Sequence, residues 1–565
     1  MKKVLSLILC LTVLLSTTAL FAFAQEDSIN VIVANDLHYN LIASNADKVP
    51  KRNSISEDYA HAASSMQLYS ESYAIIVAFL EKAATLNGEY LILPGDLVDD
   101  GTVAENVFFA SLIKEFEVKS GKKVFVVPGN HDLFETTPDE FMTIYADFGY
   151  NEAIARDTLS ASYVAELGAD YRLLAIDSTD PGESNHGMTA ARVEWIKAQA
   201  AKAKADGKKV IAMMHHNLVE HFILGDVIRD DAVVNDDIAL GEVFAQNGVK
   251  YVFTGHTHEH DIAAYTSEDG TEIYDVVTGA LNVYPCPYRV VTFGESVEIK
   301  TGIIDKIDTS LVPAGISETA AALMESDFTQ YTKNCAEVGL RQTITSYTKA
   351  SMLKKLLKLD KTEDAEMCAI IDKVGTKLNE AIQMPFYKSQ EVTEGLSVES
   401  IVSQHDITLP SSKYTDMVDL ASEVYFAHVA GDENYPAYKN EVVLLSRGLS
   451  ATLTYALSDV TAEEYAQVLT FVTELLGVSV PADFLAYAGD TFKRFEGIEI
   501  VVTTAIVPVL TQFTVDETPA DSNVVLPGYA QTMEDIEEEK SFWQKIEEFF
   551  IKIFEAIMSI FAFVG

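Results

Sequence analysis

The chain has 565 residues, of which 48% are hydrophobic, and a formal net charge of -44 from 41 basic and 85 acidic residues. This length allows two or three domains, and the apolar fraction is sufficient for a buried core. Binding of a DNA or RNA backbone depends on Lys and Arg side chains that displace counterions. The negative charge therefore argues against a nucleic-acid polymer as a partner.

The N-terminus has the pattern of a secretory signal peptide over residues 1–24. Lys2 and Lys3 precede an apolar run at 4–15, and a small-residue cleavage pattern ends at Ala24. We expect cleavage near Ala24 and an extracytoplasmic location, whether secreted, periplasmic or at the cell surface; an uncleaved anchor is the alternative. Three cysteines follow: Cys286, Cys335 and Cys368. One pair could form a disulfide, but the spacing does not select it.

The first half of the chain alternates between two kinds of segment. Short, continuous apolar runs occupy residues 29–34, 90–93, 123–127, 172–176, 209–214, 250–253 and 274–278. Such runs predict strands that are buried on both faces. Apolar residues at helical spacing separate them at 66–87, 104–118 and 189–205. This alternation predicts a layered α/β domain over residues 25–310.

The composition changes after residue 310. Residues 311–514 are rich in helix-forming residues at helical spacing and predict a mostly helical accessory domain. Within them, the apolar run 498–509 is compatible with a strand or a buried helix. Residues 515–540 carry two prolines, turn-forming residues and an acidic run, which predict an acidic linker.

The last segment, residues 541–565, predicts an amphipathic helix. Phe and Ile recur at i, i+3 and i+4, and charged residues fill the other face. The charges argue against a membrane span, which needs about 20 mainly apolar residues. Two interpretations remain: packing onto the protein or self-association, and binding along a membrane surface.

Five polar clusters lie where predicted strands end. They are Asp36-Leu37-His38, Gly95 to Asp99, Gly129 to Asp132, His215-His216, and Gly255 to His258. Strand ends that bring Asp, Asn and His to one edge of a sheet predict a hydrolase with two metal ions. A carboxylate is suited to bridge two ions because it has two oxygens. His256 and His258, two residues apart, point to the same side of an extended backbone.

The ordered set of clusters resembles the calcineurin-like metallophosphoesterase family, over about half of the chain. The resemblance implies a four-layer α/β/β/α sandwich. It implies that one metal ion is bound by Asp36, His38 and His258, a second by Asn130, His215 and His256, and that Asp96 bridges them. It also implies that His131 acts on the leaving oxygen and that Asp99 orients His131. His216 is the alternative to His215, because the prolines that often follow in relatives are missing.

Departures from the family pattern favour some branches over others. Asp100 stands where protein Ser/Thr phosphatases carry a phosphate-binding Arg, and Asp99 stands where purple acid phosphatases carry a Tyr ligand. The clusters are more similar to the bacterial exported and cyclic-nucleotide-phosphodiesterase-like branches. The insertion at 40–65 could border the active site and contact substrate, or form a solvated loop.

These observations predict an exported phosphoesterase with two metal ions (Mn, Zn or Fe), in which a bridging hydroxide attacks a phosphomonoester or phosphodiester. The expected partner is a small-molecule or envelope phosphoester. The alternative is an envelope-associated binding or scaffold protein that uses the phosphoesterase fold as a platform.

Overall fold

The computed structural model describes residues 28–41, 51–62, 66–179, 187–221, 231–235, 237–313, 315–357, 359–362, 364–436, 438–475, 494–507 and 519–529. The predicted signal peptide and C-terminal amphipathic helix lie outside these residues. The strands are β1 (Ile29–Val33), β2 (Tyr90–Leu93), β3 (Lys123–Val126), β4 (Ala155–Arg156), β5 (Tyr163–Leu167), β6 (Tyr171–Ala175), β7 (Lys209–Met213), β8 (Val249–Thr254), β9 (Ile262–Thr266), β10 (Glu272–Val277), β11 (Pro287–Phe293), β12 (Ser296–Ile303) and β13 (Asn523–Pro527).

The strands form two sheets. The first has the order β13-β12-β11-β1-β2-β3, and the second has the order β4-β5-β6-β7-β8-β10-β9. Strands β1, β2 and β3 are parallel, with Val31 opposite Tyr90 and Tyr90 opposite Lys123. Strands β6, β7, β8 and β10 are parallel in the second sheet. The carboxyl ends of parallel strands meet at one edge of a sheet, which is where ligand sites form in α/β proteins.

Helices cover the outer faces of the two sheets. In the first half of the chain they are α1 (Ile55–Ala62), α2 (Ser72–Thr85), α3 (Val103–Ser120), α4 (Pro138–Ile144), α5 (Ala190–Ala205) and α6 (Asp237–Asn247). Strand β7 shows how the layers are filled: Ile211 and Met213 join the core between the sheets, while Val210 and Ala212 face α5 and α6. Burial on both faces explains the continuous apolar runs. The predicted four-layer α/β/β/α sandwich with a helical C-terminal region is confirmed.

The second half of the described chain is mostly helical. Its helices are α7 (Glu318–Ser326), α8 (Phe328–Tyr347), α9 (Ala350–Leu356), α10 (Ala365–Ala381), α11 (Val398–Val402), α12 (Met417–Val429), α13 (Asn440–Ala456), α14 (Ala462–Leu475) and α15 (Phe495–Val501). Helices α10 to α13 and α15 contribute to a separate apolar core. In contrast, Phe328 and Tyr331 of α8 belong to the core of the sandwich. The two regions therefore share buried surface.

Two segments of the later chain can be compared with the sequence prediction: one differs from it, and the other resolves an alternative that it left open. Residues 523–527, predicted as part of an acidic linker, form β13, which pairs antiparallel with β12. The prediction of a linker is wrong for these residues, because their side chains contact the sheet: Leu526 is buried and Tyr251 donates a hydrogen bond to the Pro527 carbonyl. The run at 498–509 is helical in its described part.

The insertion at 40–65 is described for residues 40–41 and 51–62, and residues 51–62 do not form a solvated loop. Arg52 and Asp58 form a buried ion pair of 2.9 Å, and the Asp58 carboxylate accepts a hydrogen bond from Ser317. The Tyr59 hydroxyl accepts from Asn334 of α8 at 2.8 Å. Through these contacts, the insertion joins the sandwich to the helical region.

Three cysteines lie within the described residues. Cys286, Cys335 and Cys368 are buried and carry free thiols. Among the described helices, none is long and apolar enough to cross a membrane.

Candidate metal centre

All five polar clusters meet at the carboxyl ends of the central strands. Asp36 and His38 follow β1, and Asp96 follows β2, whereas Asn130 follows β3. In the second sheet, His215 follows β7, and the His256–His258 pair follows β8. The two sheets thus bring to one place all seven side chains that were predicted to bind metal.

The first group consists of Asp36, His38 and His258. The Nε2 atoms of His38 and His258 face each other at 3.2 Å. Asp36 Oδ1 lies 3.9 Å from the first nitrogen and 3.6 Å from the second. The His38 Nδ1 faces the Asp99 carboxylate at 3.3 Å. A carboxylate that accepts a hydrogen bond from Nδ1–H leaves the lone pair of Nε2 available to bind a metal ion.

The second group consists of Asn130, His215 and His256. The His215 Nε2 lies 3.1 Å from Asn130 Oδ1 and 3.2 Å from His256 Nδ1. His215 Nδ1 is 3.0 Å from the Pro94 carbonyl oxygen, to which it can only donate. In the neutral ring, Nε2 then carries the lone pair and points into the group.

Asp96 lies between the two groups. Its Oδ2 is 3.3 Å from His215 Nε2 and 3.7 Å from His38 Nε2. Its Oδ1 accepts a hydrogen bond of 2.8 Å from the His131 backbone N–H. The carboxylate is therefore placed to serve both groups.

His216, the alternative to His215, is oriented differently. Its ring is in the same neighbourhood as His215 and His256. Its backbone N–H donates to the Ser178 hydroxyl at 3.1 Å, and its Nδ1 is 2.8 Å from the same oxygen. The Ser178 hydroxyl can donate to Nδ1 or accept from it, so these contacts hold the His216 ring and are compatible with either histidine as the ligand.

His131 and Asp99 are arranged differently from the prediction. His131 Nδ1 lies 2.7 Å from the Asp99 carbonyl oxygen but 3.6 Å from its carboxylate. The carboxylate is closer to His38 and accepts a hydrogen bond of 2.8 Å from Asn40. The backbone of Asp99, rather than its side chain, therefore orients His131, and the carboxylate orients a metal-facing histidine.

The backbone at the site is unusual. Asp36, His38, Asp96, His256 and His258 all have left-handed φ values between 42° and 68°. Such conformations are uncommon for residues other than glycine and concentrate at functional sites.

Two glycines of the polar clusters allow the loops that carry the predicted ligands to approach each other closely. A Cβ at Gly129 would overlap Asp96 Oδ1, and a Cβ at Gly255 would overlap Asp36 Oδ2. The loops are tied together as well, because the Asp36 carboxylate accepts from the His256 backbone N–H at 3.0 and 3.1 Å.

The electrostatics of the site follow from burial of several carboxylates with several imidazoles. Burial raises the pKa of Asp36 to about 6, although His215 opposes this change. Burial also acts on Asp96, but the neighbouring His215 and His131 hold the pKa of that carboxyl well below its usual range. Burial lowers the pKa of His131, reinforced by His38 and opposed by Asp96.

Several residues that shape the site had no role predicted from the sequence. Asp132 accepts hydrogen bonds from the Leu97, Val98 and Gly129 backbone N–H groups and so joins two ligand loops. The signal in the sequence for Asp132 was its position as the fourth residue of the polar cluster Gly129 to Asp132. The role of Asn40 in holding Asp99 had no signal in the sequence.

The donor set fits divalent or trivalent metal ions. Neutral imidazole nitrogens, two carboxylates and one amide oxygen converge in buried surroundings. Imidazole suits Zn and Fe, and carboxylate and amide oxygens suit Mn, so the site is chemically suited to these ions.

Comparison with known proteins agrees with this arrangement. Residues 29–260 match the model of the calcineurin-like phosphoesterase family. This part of the chain is similar to that family. The five polar clusters all lie within the matched residues.

Individual relatives cover only part of this chain. The probable glycerophosphodiester phosphodiesterase GpdQ of Arcobacter nitrofigilis is 31% identical over 128 residues, which are 23% of this chain and 41% of that protein. The chain thus spans less than half of that relative. A dimetal phosphatase from Danio rerio is 11% identical, with 49% of this chain and 96% of that chain covered and a TM-score of 0.37. A purple acid phosphatase, PPD1, from yellow lupin seeds is 11% identical, with 50% and 52% covered and a TM-score of 0.33.

Proposed function

We propose that this protein is an exported metal-dependent phosphoesterase that hydrolyses phosphodiesters or phosphomonoesters at a centre of two metal ions. The observation that carries the proposal is the position of Asp96, whose Oδ2 faces His215 Nε2 at 3.3 Å and His38 Nε2 at 3.7 Å. A single buried carboxylate between two sets of ligands is suited to two ions that are close together.

In this proposal, Asp36, His38 and His258 hold one ion and Asn130, His215 and His256 hold the other, with Asp96 shared. Bound ions supply the acidity that generates hydroxide from water and neutralise charge on the phosphoryl oxygens. The protein supplies the placement of the ligands, because Asp99 and the Pro94 carbonyl fix which ring nitrogens of His38 and His215 face the ions.

His131 would act on the leaving oxygen. Its Nδ1 must donate to the Asp99 carbonyl, so a neutral ring has a lone pair at Nε2. His131 therefore delivers a proton from Nε2 only as an imidazolium. Burial lowers the pKa of His131, and the Asp96 and Asp99 carboxylates only partly offset this effect.

Phosphodiesters are the first substrates to examine. The support is the printed name of the curated relative, a probable glycerophosphodiester phosphodiesterase. Export rests on the signal-peptide pattern of residues 1–24. The envelope or the surrounding medium is then the source of the phosphoester.

The test uses residues 25–565, stripped of metal with a chelator and reloaded separately with Mn²⁺, Zn²⁺ or iron. Turnover of bis-p-nitrophenyl phosphate, p-nitrophenyl phosphate and a glycerophosphodiester is measured in each state. The proposal predicts turnover of at least one ester that disappears on stripping and returns on reloading. Failure of every ester after reloading would favour the scaffold alternative.

A further inference from the structure

Behind the metal centre, the loop that follows His258 is surrounded by polar residues from distant parts of the chain. The Glu259 side chain is turned toward the helical region, with Oε1 4.0 Å from His428 Nε2. His428 lies in the last turn of α12, and its Nδ1–H donates to Glu433 Oε1 at 2.5 Å. All three side chains are buried. Burial lowers the pKa of His428, but Glu433, Glu259 and Asp261 outweigh this effect and raise that pKa to about 9.

The backbone of the helical region touches the same loop. Gly431, just after α12, has a φ of 63°, and a Cβ there would lie 2.6 Å from the His260 carbonyl oxygen. The Ser522 hydroxyl contacts the carbonyl oxygens of Ala430 and Gly431 at 3.1 and 2.9 Å. The turn after α12 is therefore held directly against the loop.

The segment before β13 and a buried arginine also contact this part of the chain. Asp521 Oδ1 accepts a hydrogen bond of 3.0 Å from the Ile262 backbone N–H. Arg289, which is fully buried, donates to the carbonyl oxygens of Asp521 and Asp261. The loop is thus fixed by residues that lie outside the metal-facing clusters.

The loop needs such support. His256 and His258 both have left-handed φ values, and non-glycine residues keep this conformation only where the surroundings enforce it. Glu259 follows His258 directly in the chain. A contact that holds the Glu259 side chain therefore also restrains the backbone that places the His258 ring.

We propose that the helical region is a structural part of the metal centre, in which His428, acting through Glu259, positions His258 as a ligand. His428 is a positioning residue, because it touches neither the proposed ions nor the substrate. The inference rests on the proposed role of His258.

The test measures Mn²⁺ affinity of the full, metal-stripped chain by calorimetry, without any substrate. The variants are His428→Ala, Glu259→Gln and the double variant. The control is His405→Ala, because His405 pairs with Glu496 at 2.9 Å in the same helical region, away from the loop. Outer residues that orient metal ligands typically contribute 10–100-fold to affinity, so His428→Ala is expected to raise the Mn²⁺ Kd at least about 10-fold and His405→Ala less than about 2-fold.

The double variant and amide exchange separate positioning from general damage. If His428 acts through Glu259, the double variant has nearly the same Kd as His428→Ala, and amide hydrogens of 256–262 exchange faster in both. Additive losses, unchanged exchange in this loop, or an equal loss in His405→Ala would contradict the proposal. If His428→Ala does not fold, Glu433→Gln takes its place with the same expectations and the same contradicting outcomes.

Failure of this inference is distinct from failure of the proposed function. Wild-type protein that binds Mn²⁺ but hydrolyses no ester, together with a raised Kd in His428→Ala, would support the positioning role and overturn only the proposed function. Wild-type turnover with unchanged Mn²⁺ affinity in His428→Ala would overturn only the positioning role.

Discussion

At the scale of single residues, the side chains that we assign to metal are held by the backbone of neighbouring loops. The His38 backbone N–H donates to the Asp96 carbonyl at 3.0 Å, and the Asp36 backbone N–H donates to Gly95 at 3.4 Å. These bonds fix left-handed residues, each of which costs on the order of 1–3 kcal/mol. These backbone bonds therefore hold the side chains in the positions that we assign to metal ligands.

His131 gives a prediction at this scale. If it donates a proton to the leaving oxygen, His131→Ala should reduce kcat for an alkyl leaving group by about 10²–10⁴-fold. The loss should be much smaller for p-nitrophenolate, which leaves without a proton. Steady-state kinetics on a diester with each leaving group measures the difference. Equal losses for both esters would contradict the role in proton donation.

At the scale of elements, the strands that carry ligands could be predicted because each is a continuous buried run that ends in a polar cluster. The edge strand β13 could not, since Val525 is 65% exposed and only the contact with β12 identifies the strand. The direction of the Asp99 side chain was also unpredictable. It depends on whether His38 or His131 is nearer in space, which the spacing of the motif does not determine.

The close approach of the ligand loops gives a prediction for Gly255. In Gly255→Ala, the added methyl group meets the Asp36 carboxylate, so we expect a loss of about 1–3 kcal/mol in the free energy of unfolding and weaker metal binding. Gly294→Ala is the matched control, because the nearest atom would be 3.7 Å away. Urea unfolding and metal titration are compared for both variants. Similar small effects in the two would argue against a steric role for Gly255.

At the scale of the whole molecule, buried polar contacts join the sandwich and the helical region, and two clusters of them stand out. One is the insertion, with Arg52, Asp58 and Ser317. The other is the cluster of His428 with Glu259 and Glu433. The sequence placed His428 in a helical segment but offered no reason to connect it with Glu259, because the two are far apart along the chain.

The cluster of His428 with Glu259 and Glu433 predicts that the stability of the protein depends on pH. The pKa of His428 is raised to about 9 by Glu433, Glu259 and Asp261 in spite of burial, whereas an unfolded histidine has a pKa of about 6.5. Its stabilisation, on the order of 1–3 kcal/mol, is therefore complete below about pH 6.5 and is lost as the pH rises through about 9.

Unfolding of the metal-stripped wild type and His428→Gln by urea at about pH 6 and about pH 10 measures this contribution. The difference in unfolding free energy between the two proteins should be larger at the lower pH. A difference that is constant, or larger at the higher pH, would contradict a charged His428 in the folded protein.

The most direct measurement of the central claim is the metal content and turnover of Asp96→Asn beside the wild type. The asparagine keeps the shape of the side chain but cannot offer two charged oxygens to two ions. We predict two equivalents of metal and metal-dependent ester hydrolysis in the wild type. The variant should hold at most one equivalent and lose more than about 100-fold in kcat/KM, beyond the usual effect of an outer residue. Two tightly bound equivalents with full turnover in Asp96→Asn would contradict the bridging role.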